Sequence, residues 1–174
     1  MKNLKKTFSV LISIFAVCIL IVAFSACPSP SGSNGPGGNG TNPPFVPQYR
    51  IGDTGPGGGK IFYVDPAGFT MTDNGSTAHY LEAAPNNTST LAWASPAHIS
   101  TNISGTELGI GTGRKNTTLI LTTDSLAPAA KACDDYSNNG YSDWFLPSRY
   151  ELYLLYQNKS SVGNLGINYY WSSS

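Results

Sequence analysis

The sequence predicts an α+β domain, and two kinds of local signal carry that class. β-rich runs occur at residues 60–64 (KIFYV), 79–85 (HYLEAAP) and 91–94 (LAWA), each closed by a proline or a polar residue. Helical signals occur at 126–136 and from Ser148 onward. All of these lie beyond Phe45; what precedes it has a different composition.

Residues 1–26 read as a leader. Lys2, Lys5 and Lys6 give a basic start, an uncharged apolar run covers Phe8 to Phe24, and Ser25-Ala26-Cys27 closes it with small residues. These are the three parts of a secretory signal. The apolar run sits near the lower limit for spanning a bilayer, about 17–25 residues. It passes into proline, glycine, serine and asparagine without a positive flank, which argues against a retained membrane helix. Phe24-Ser25-Ala26-Cys27 resembles a bacterial lipobox, with Phe24 in place of the usual leucine. That resemblance implies cleavage before Cys27 and lipidation of its thiol. Several acyl chains on one cysteine supply the stable membrane partner that a single chain does not. Pro28 after the cysteine, where an aspartate would signal retention, implies an outer-membrane or cell-surface location.

Residues 27–44 then form a tether, since Pro28 to Pro44 contains only Pro, Ser, Gly, Asn and Thr. Such a stretch buries too little apolar surface to offset its conformational entropy. Residues 45–174 are of ordinary length for one domain. Loss of the leader removes three of ten basic residues and none of ten acidic ones, leaving a net charge of −3. No nucleic-acid partner is expected from that balance.

Within the domain, Ile51 to Asp65 (IGDTGPGGGKIFYVD) is a glycine-rich turn feeding a strand. It is not a phosphate-binding loop, because Thr54 and Ile61 stand where glycine and Ser/Thr are required. Residues 96–113 read as a long ordered loop. Residues 116–122 (NTTLILT) suit a strand by propensity and a short helix by the placement of Leu119 and Ile120. Leu126, Ala129, Ala130, Cys133 and Tyr136 follow helical spacing, with Asn138-Asn139-Gly140 as the stop. Trp144-Phe145-Leu146 reads as a buried strand or turn. Ser148 and Glu151 make a capping box, followed by an apolar stripe of Leu152, Leu155 and Tyr156. Residues 168–174 (NYYWSSS) begin another strand. Cys133 is expected to be a small buried hydrophobe on its helix.

Taken in order, the blocks IGDTGPGGGKIFYVD, HYLEAAP, GIGTGRKNT, ACDDYSNNGYSDWFLPSRYELYLLYQNK and NYYWSSS resemble the C-terminal domain of the bacterial collagen-like adhesin Lcl. The WFLPS-x-x-EL element is similar to the RLP-T-x-x-E element of formylglycine-generating enzymes. The resemblance implies a C-type-lectin-like α+β fold, two or three short helices on a small twisted antiparallel sheet. Relatives of that kind run past the Tyr-Tyr-Trp-Ser-Ser block into further strands. It therefore implies a sheet short of its closing strands, with an open edge; relatives of that kind also carry a second cysteine matched to the position of Cys133.

The function expected is a non-enzymatic surface module for adhesion, with a glycan or host extracellular matrix as partner and no cofactor. A homo-oligomer is compatible with it. Tyr141, Trp144, Tyr169, Tyr170 and Trp171 are the candidates for stacking on sugar rings, although Trp144 and Trp171 suit a core better. The triplets of calcium-dependent lectins (Glu-Pro-Asn, Gln-Pro-Asp) are absent, so no metal site is expected. A second reading is a truncated or decayed structural lipoprotein with no ligand. A third and remote one is an enzyme related to formylglycine-generating enzymes. Against it, their cysteine pair is missing, His79 and His98 stand alone, and Asp134 and Asp135 are adjacent and so diverge on a helix.

Overall fold

A computed structural model describes residues 16–17, 21–24, 45–163 and 165–174. Its core element is a hairpin of β3 (Lys60–Thr70) and β4 (Thr77–Ala83), antiparallel from Lys60↔Ala83 to Thr70↔Thr77. The register shifts between Val64 and Phe69, where Gly68 takes φ +82°. The turn closes through Gly75 N–H to Met71 O at 2.8 Å and Asn74 Oδ1, which accepts from Ser76 N–H at 2.9 Å. Asparagine followed by glycine is the expected chemistry for such a turn.

The other edge of β4 is taken by β2 (Ile21–Phe24), running antiparallel with Val22 opposite Glu82 and Phe24 opposite Tyr80. The open sheet has the order β2-β4-β3. A separate two-residue pair joins β1 (Ala16–Val17) to β5 (Thr90–Leu91). The sheet thus draws strands from the apolar run that precedes Phe45. Val22 is fully buried, and the Phe24 ring stacks on Tyr80 at 5.1 Å. Cys27 and the tether lie outside the described residues.

Four helices follow among the described residues: α1 (Gly113–Thr123), α2 (Pro128–Asp134), α3 (Arg149–Gln157) and α4 (Lys159–Val162). The fold is therefore α+β, with a small open antiparallel sheet. The ambiguous stretch 116–122 is helical. Asn116 and Ile120, four residues apart, face the core together, and Thr117 lies beside them. The threonine hydroxyls that would favour a strand instead donate to carbonyls four residues back: Thr117 to Gly113 O at 2.8 Å, Thr122 to Thr118 O at 2.8 Å. Tertiary burial overrides the β propensity. Residues 168–174, expected to begin a strand, form no ladder strand. They are held by Ser173 N–H to Pro147 O at 2.7 Å and by Asn116 Nδ2 donating to Ser173 Oγ at 3.1 Å.

Among the described residues, two apolar clusters make the core. Val22, Ile120, Ala129, Ala130, Cys133, Trp144 and Leu146 form one. Phe62, Phe69, Met71, Leu81, Ala83, Phe145 and Leu155 form the other. Consecutive Trp144 and Phe145 belong to different clusters, as an extended segment requires when successive side chains point oppositely. Cys133 is a buried thiol on α2, as its spacing predicts. Asp134 and Asp135 are exposed at the end of α2.

Candidate functional site

Among the described residues two carboxylates are buried to 0 % exposure, and each is held by backbone N–H donors. Glu151 is the N3 residue of α3. Its Oε2 accepts from Ser148 N–H at 2.7 Å and its Oε1 from Gly111 N–H at 2.8 Å, while Ser148 Oγ accepts from Glu151 N–H at 3.3 Å. The capping box thus reaches beyond its own helix and pins the loop before α1. Burial pushes the Glu151 carboxyl up to about 7, with the N–H groups of Ser148, Gly111 and Gly113 pulling it back. Glu82 plays the same part in the glycine-rich loop, accepting from Gly57 and Gly59 N–H. Burial raises its pKa as well, against those two donors.

The glycines are required by close approach. A Cβ on Gly59 would lie 1.9 Å from Ala83 O, and one on Gly57 would meet the Trp144 ring at 2.7 Å. Asn138 Nδ2 closes the loop by donating to Gly57 O at 2.7 Å. This glycine run wraps a carboxylate of the chain itself.

Ser95, His98 and Asp124 come together but do not form a nucleophilic relay. Ser95 Oγ lies 3.1 Å from His98 Nδ1, and Asp124 Oδ1 lies 3.5 Å from that same nitrogen. A relay needs the hydroxyl and the carboxylate on opposite ring nitrogens. Here Asp124 Oδ2 instead accepts from Ser95 N–H at 2.8 Å. Burial raises the Asp124 pKa, but the Ser95 and Leu126 donors and His98 outweigh it and lower the value overall. His79 is also spoken for: its Nδ1 is 2.8 Å from Asp65 O, and its ring stacks on Phe45 at 3.7 Å. Among the described residues no group of three His, Cys, Asp or Glu is placed to hold a metal ion.

The five aromatic candidates divide. Trp144 is 2 % exposed and belongs to the core, its indole N–H donating to Tyr141 O at 3.1 Å. Tyr141 is half-buried against the same cluster. Trp171 is half-buried there too, and its indole N–H donates to Leu91 O at 2.9 Å. Trp93 makes the converse bond to Ser172 O at 3.1 Å, so this pair of tryptophans fastens the 168–174 segment beside β5. Tyr169 is 83 % exposed, and Tyr170 is half-buried with its hydroxyl accepting from Gly166 N–H at 2.9 Å.

Tyr169 and Tyr170 border a shallow groove of about 310 Å³ against α3. Its other walls are Arg149, Leu152, Tyr153, Tyr156, Leu165 and Asn168. A second hollow, lined by Leu108, Arg149, Tyr150 and Tyr153, adjoins it across Arg149 and Tyr153. Tyr150, Tyr153 and Tyr156 are each about half exposed, Tyr150 stacks with Tyr153 at 6.1 Å, and Lys159 Nζ sits 4.1 Å over the Tyr156 ring. Of the apolar stripe Leu152, Leu155 and Tyr156, Leu155 is fully buried while Tyr156 turns outward. Tyrosines at 150, 153 and 156, spaced by three, were the available signal for this face.

Comparison with protein-family models, with curated proteins and with solved structures finds no match for this chain. No described helix is long and apolar enough to cross a membrane.

Proposed function

We propose that this chain is an exported lipoprotein, anchored through Cys27, that presents a non-enzymatic binding module of the Lcl C-terminal, C-type-lectin-like kind at the outer membrane or cell surface. The observation that carries the binding reading is the exposed tyrosine face along α3. Tyr150, Tyr153, Tyr156 and Tyr169 present flat rings to solvent around Arg149 and Asn168. Tyrosine combines apolar area with a polar tip and loses little entropy on binding. Rings for stacking beside an arginine and an amide for hydroxyl groups suit a glycan, free or on host matrix. Two independent features support the fold assignment: short helices beside a small antiparallel sheet, and a capping box that follows Phe145-Leu146-Pro147. The net charge of −3 in the processed chain favours neutral sugars over sulfated polyanions.

The test is a glycan and matrix-protein array probed with the purified protein and its Tyr153→Ala and Tyr169→Ala variants. Both rings are exposed, so the variants should melt as the parent does. Binding should fall about tenfold or more for each, the effect of losing roughly 1.4 kcal/mol of contact. No bound glycan or matrix protein, or binding indifferent to both changes, removes this reading in favour of a ligandless structural lipoprotein. Globomycin should block removal of residues 1–26; normal processing in its presence removes Cys27 as the anchor.

A further inference from the structure

The sheet shows how an added strand is received. β2 lies along β4 in a defined antiparallel register, Ala23 opposite Leu81 and Phe24 opposite Tyr80. Val22 enters the cluster of Ile120, Ala129 and Trp144 with no exposure. Ala23 packs on the opposite cluster, where a small side chain suffices. The Phe24 ring stacks on Tyr80 at 5.1 Å and meets Tyr49 edge-on at 5.8 Å. The outer edge of β4 is thus a slot with successive positions for a β-branched, a small and an aromatic residue. Its occupant is the very segment that the lipoprotein reading removes. Cutting before Cys27 would take Ile21–Phe24 away and bare the N–H and C=O groups of a strand whose Tyr80, Leu81 and Ala83 are almost wholly buried. An edge of that kind is a template for another strand.

We propose that the outer edge of β4 is a strand-acceptor site, filled in cis by Ile21–Phe24 until the chain is processed and afterwards by an antiparallel apolar strand of a partner protein. The inference rests on the processing of Proposed function. The strand it takes is uncharged and at least four residues long, with the β-branched, small and aromatic order of Val22-Ala23-Phe24. Main-chain bonds to β4 provide affinity and the alternating side-chain positions provide selectivity.

The test uses the full gene expressed in a bacterium that processes lipoproteins, in a Cys133→Ala background carrying Leu81→Cys. The probe is a synthetic peptide of residues 19–26 with Ala23→Cys, offered in detergent under mild oxidation. The processed protein, identified by mass, should form the mixed disulfide about 100-fold faster than one carrying Thr118→Cys on the exposed face of α1, because a docked thiol has a raised effective concentration. The same peptide with Val22→Asp and Phe24→Asp should show no preference. Protein kept full-length by Cys27→Ala, with Cys18→Ser, should exclude the peptide. Ala83→Cys with an Ile21→Cys peptide repeats the measurement on the same register should Leu81→Cys not fold. Equal rates at positions 81 and 118, or equal labelling of full-length and processed protein, overturn the proposal. A product that keeps residues 1–26 despite an intact Cys27 refutes the lipoprotein reading and leaves the slot filled in cis, which ends the exchange as well. Dimerisation of the processed protein that excludes the peptide would assign the edge to a second copy and also overturn it.

Discussion

Single buried residues tie this small domain together, and the carboxylate of Glu151 does so at three places. It serves its own helix, receives Gly111 N–H from the loop before α1, and lies against Gly113 at the start of that helix. Because burial raises its pKa from 4.5 to about 7, the folded state holds more protons than the unfolded state between those values. Stability should therefore fall as pH rises from about 4.5 to about 7 and level off above, a change on the order of 3 kcal/mol. Urea unfolding at pH 5, 6 and 8 measures it. Glu151→Gln should remove most of that slope, leaving the part due to Glu82, whose pKa shifts the same way. Asp124 has the opposite sign: its lowered pKa adds stability above the ordinary aspartate value that is lost as pH falls through the folded one. Gly59 makes a second case at this scale. Gly59→Ala must displace the Ala83 carbonyl and should cost about 3 kcal/mol or more. Gly140→Ala meets open space at φ +83°, and its cost should stay at about 1–2 kcal/mol. Thermal melts of the two variants compare a steric requirement with a conformational one.

At the scale of elements, the capping box of α3 and the spacing of α2 were legible because their causes are local. Ser148 and Glu151 satisfy each other's N–H groups within one turn, and an alanine-rich stripe needs no partner to declare its period. The element α1 was not legible in that way. Residues 116–122 have side chains suited to either state, and the choice rests on what lies 29 and 57 residues away. Thr117 Oγ1 accepts from Leu146 N–H at 3.0 Å, and Asn116 reaches Ser173. Thr117→Val should then strand a buried N–H and cost about 1–3 kcal/mol. Thr118→Ala, on the exposed face of the same helix, should be neutral or stabilise by about 0.5 kcal/mol through helix propensity. Chemical denaturation of both variants separates the tertiary requirement from the local one. The tyrosine face of α3 was half legible: Tyr169 and Tyr170 were candidates from composition, while Tyr150, Tyr153 and Tyr156 needed the helix to be oriented before their exposure was apparent.

For the molecule as a whole, the sheet is completed by residues that precede the domain in sequence. Val22→Asp in the full-length Cys27→Ala protein should lower stability by about 3 kcal/mol, since it puts a charge where Val22 is wholly buried. The same change in protein cut before Cys27 should leave the melt of the product unaltered. A Val22→Asp precursor that melts like its parent would show that β2 adds nothing to the sheet.

The sequence by itself determined the α+β class, the strand at 60–64 and the one at 79–85, the capped helix, the glycine-rich turn and the burial of Cys133. Each follows from chemistry within a few residues: a turn, a cap, a period, a missing side chain. Tertiary structure decided the helical state of 113–123, the division of the aromatics between core and groove, and the strand beside β4. Those outcomes depend on which distant surfaces meet. Val22 and Glu82 are opposite each other in the sheet yet sixty residues apart in the chain, and no local pattern encodes that pairing.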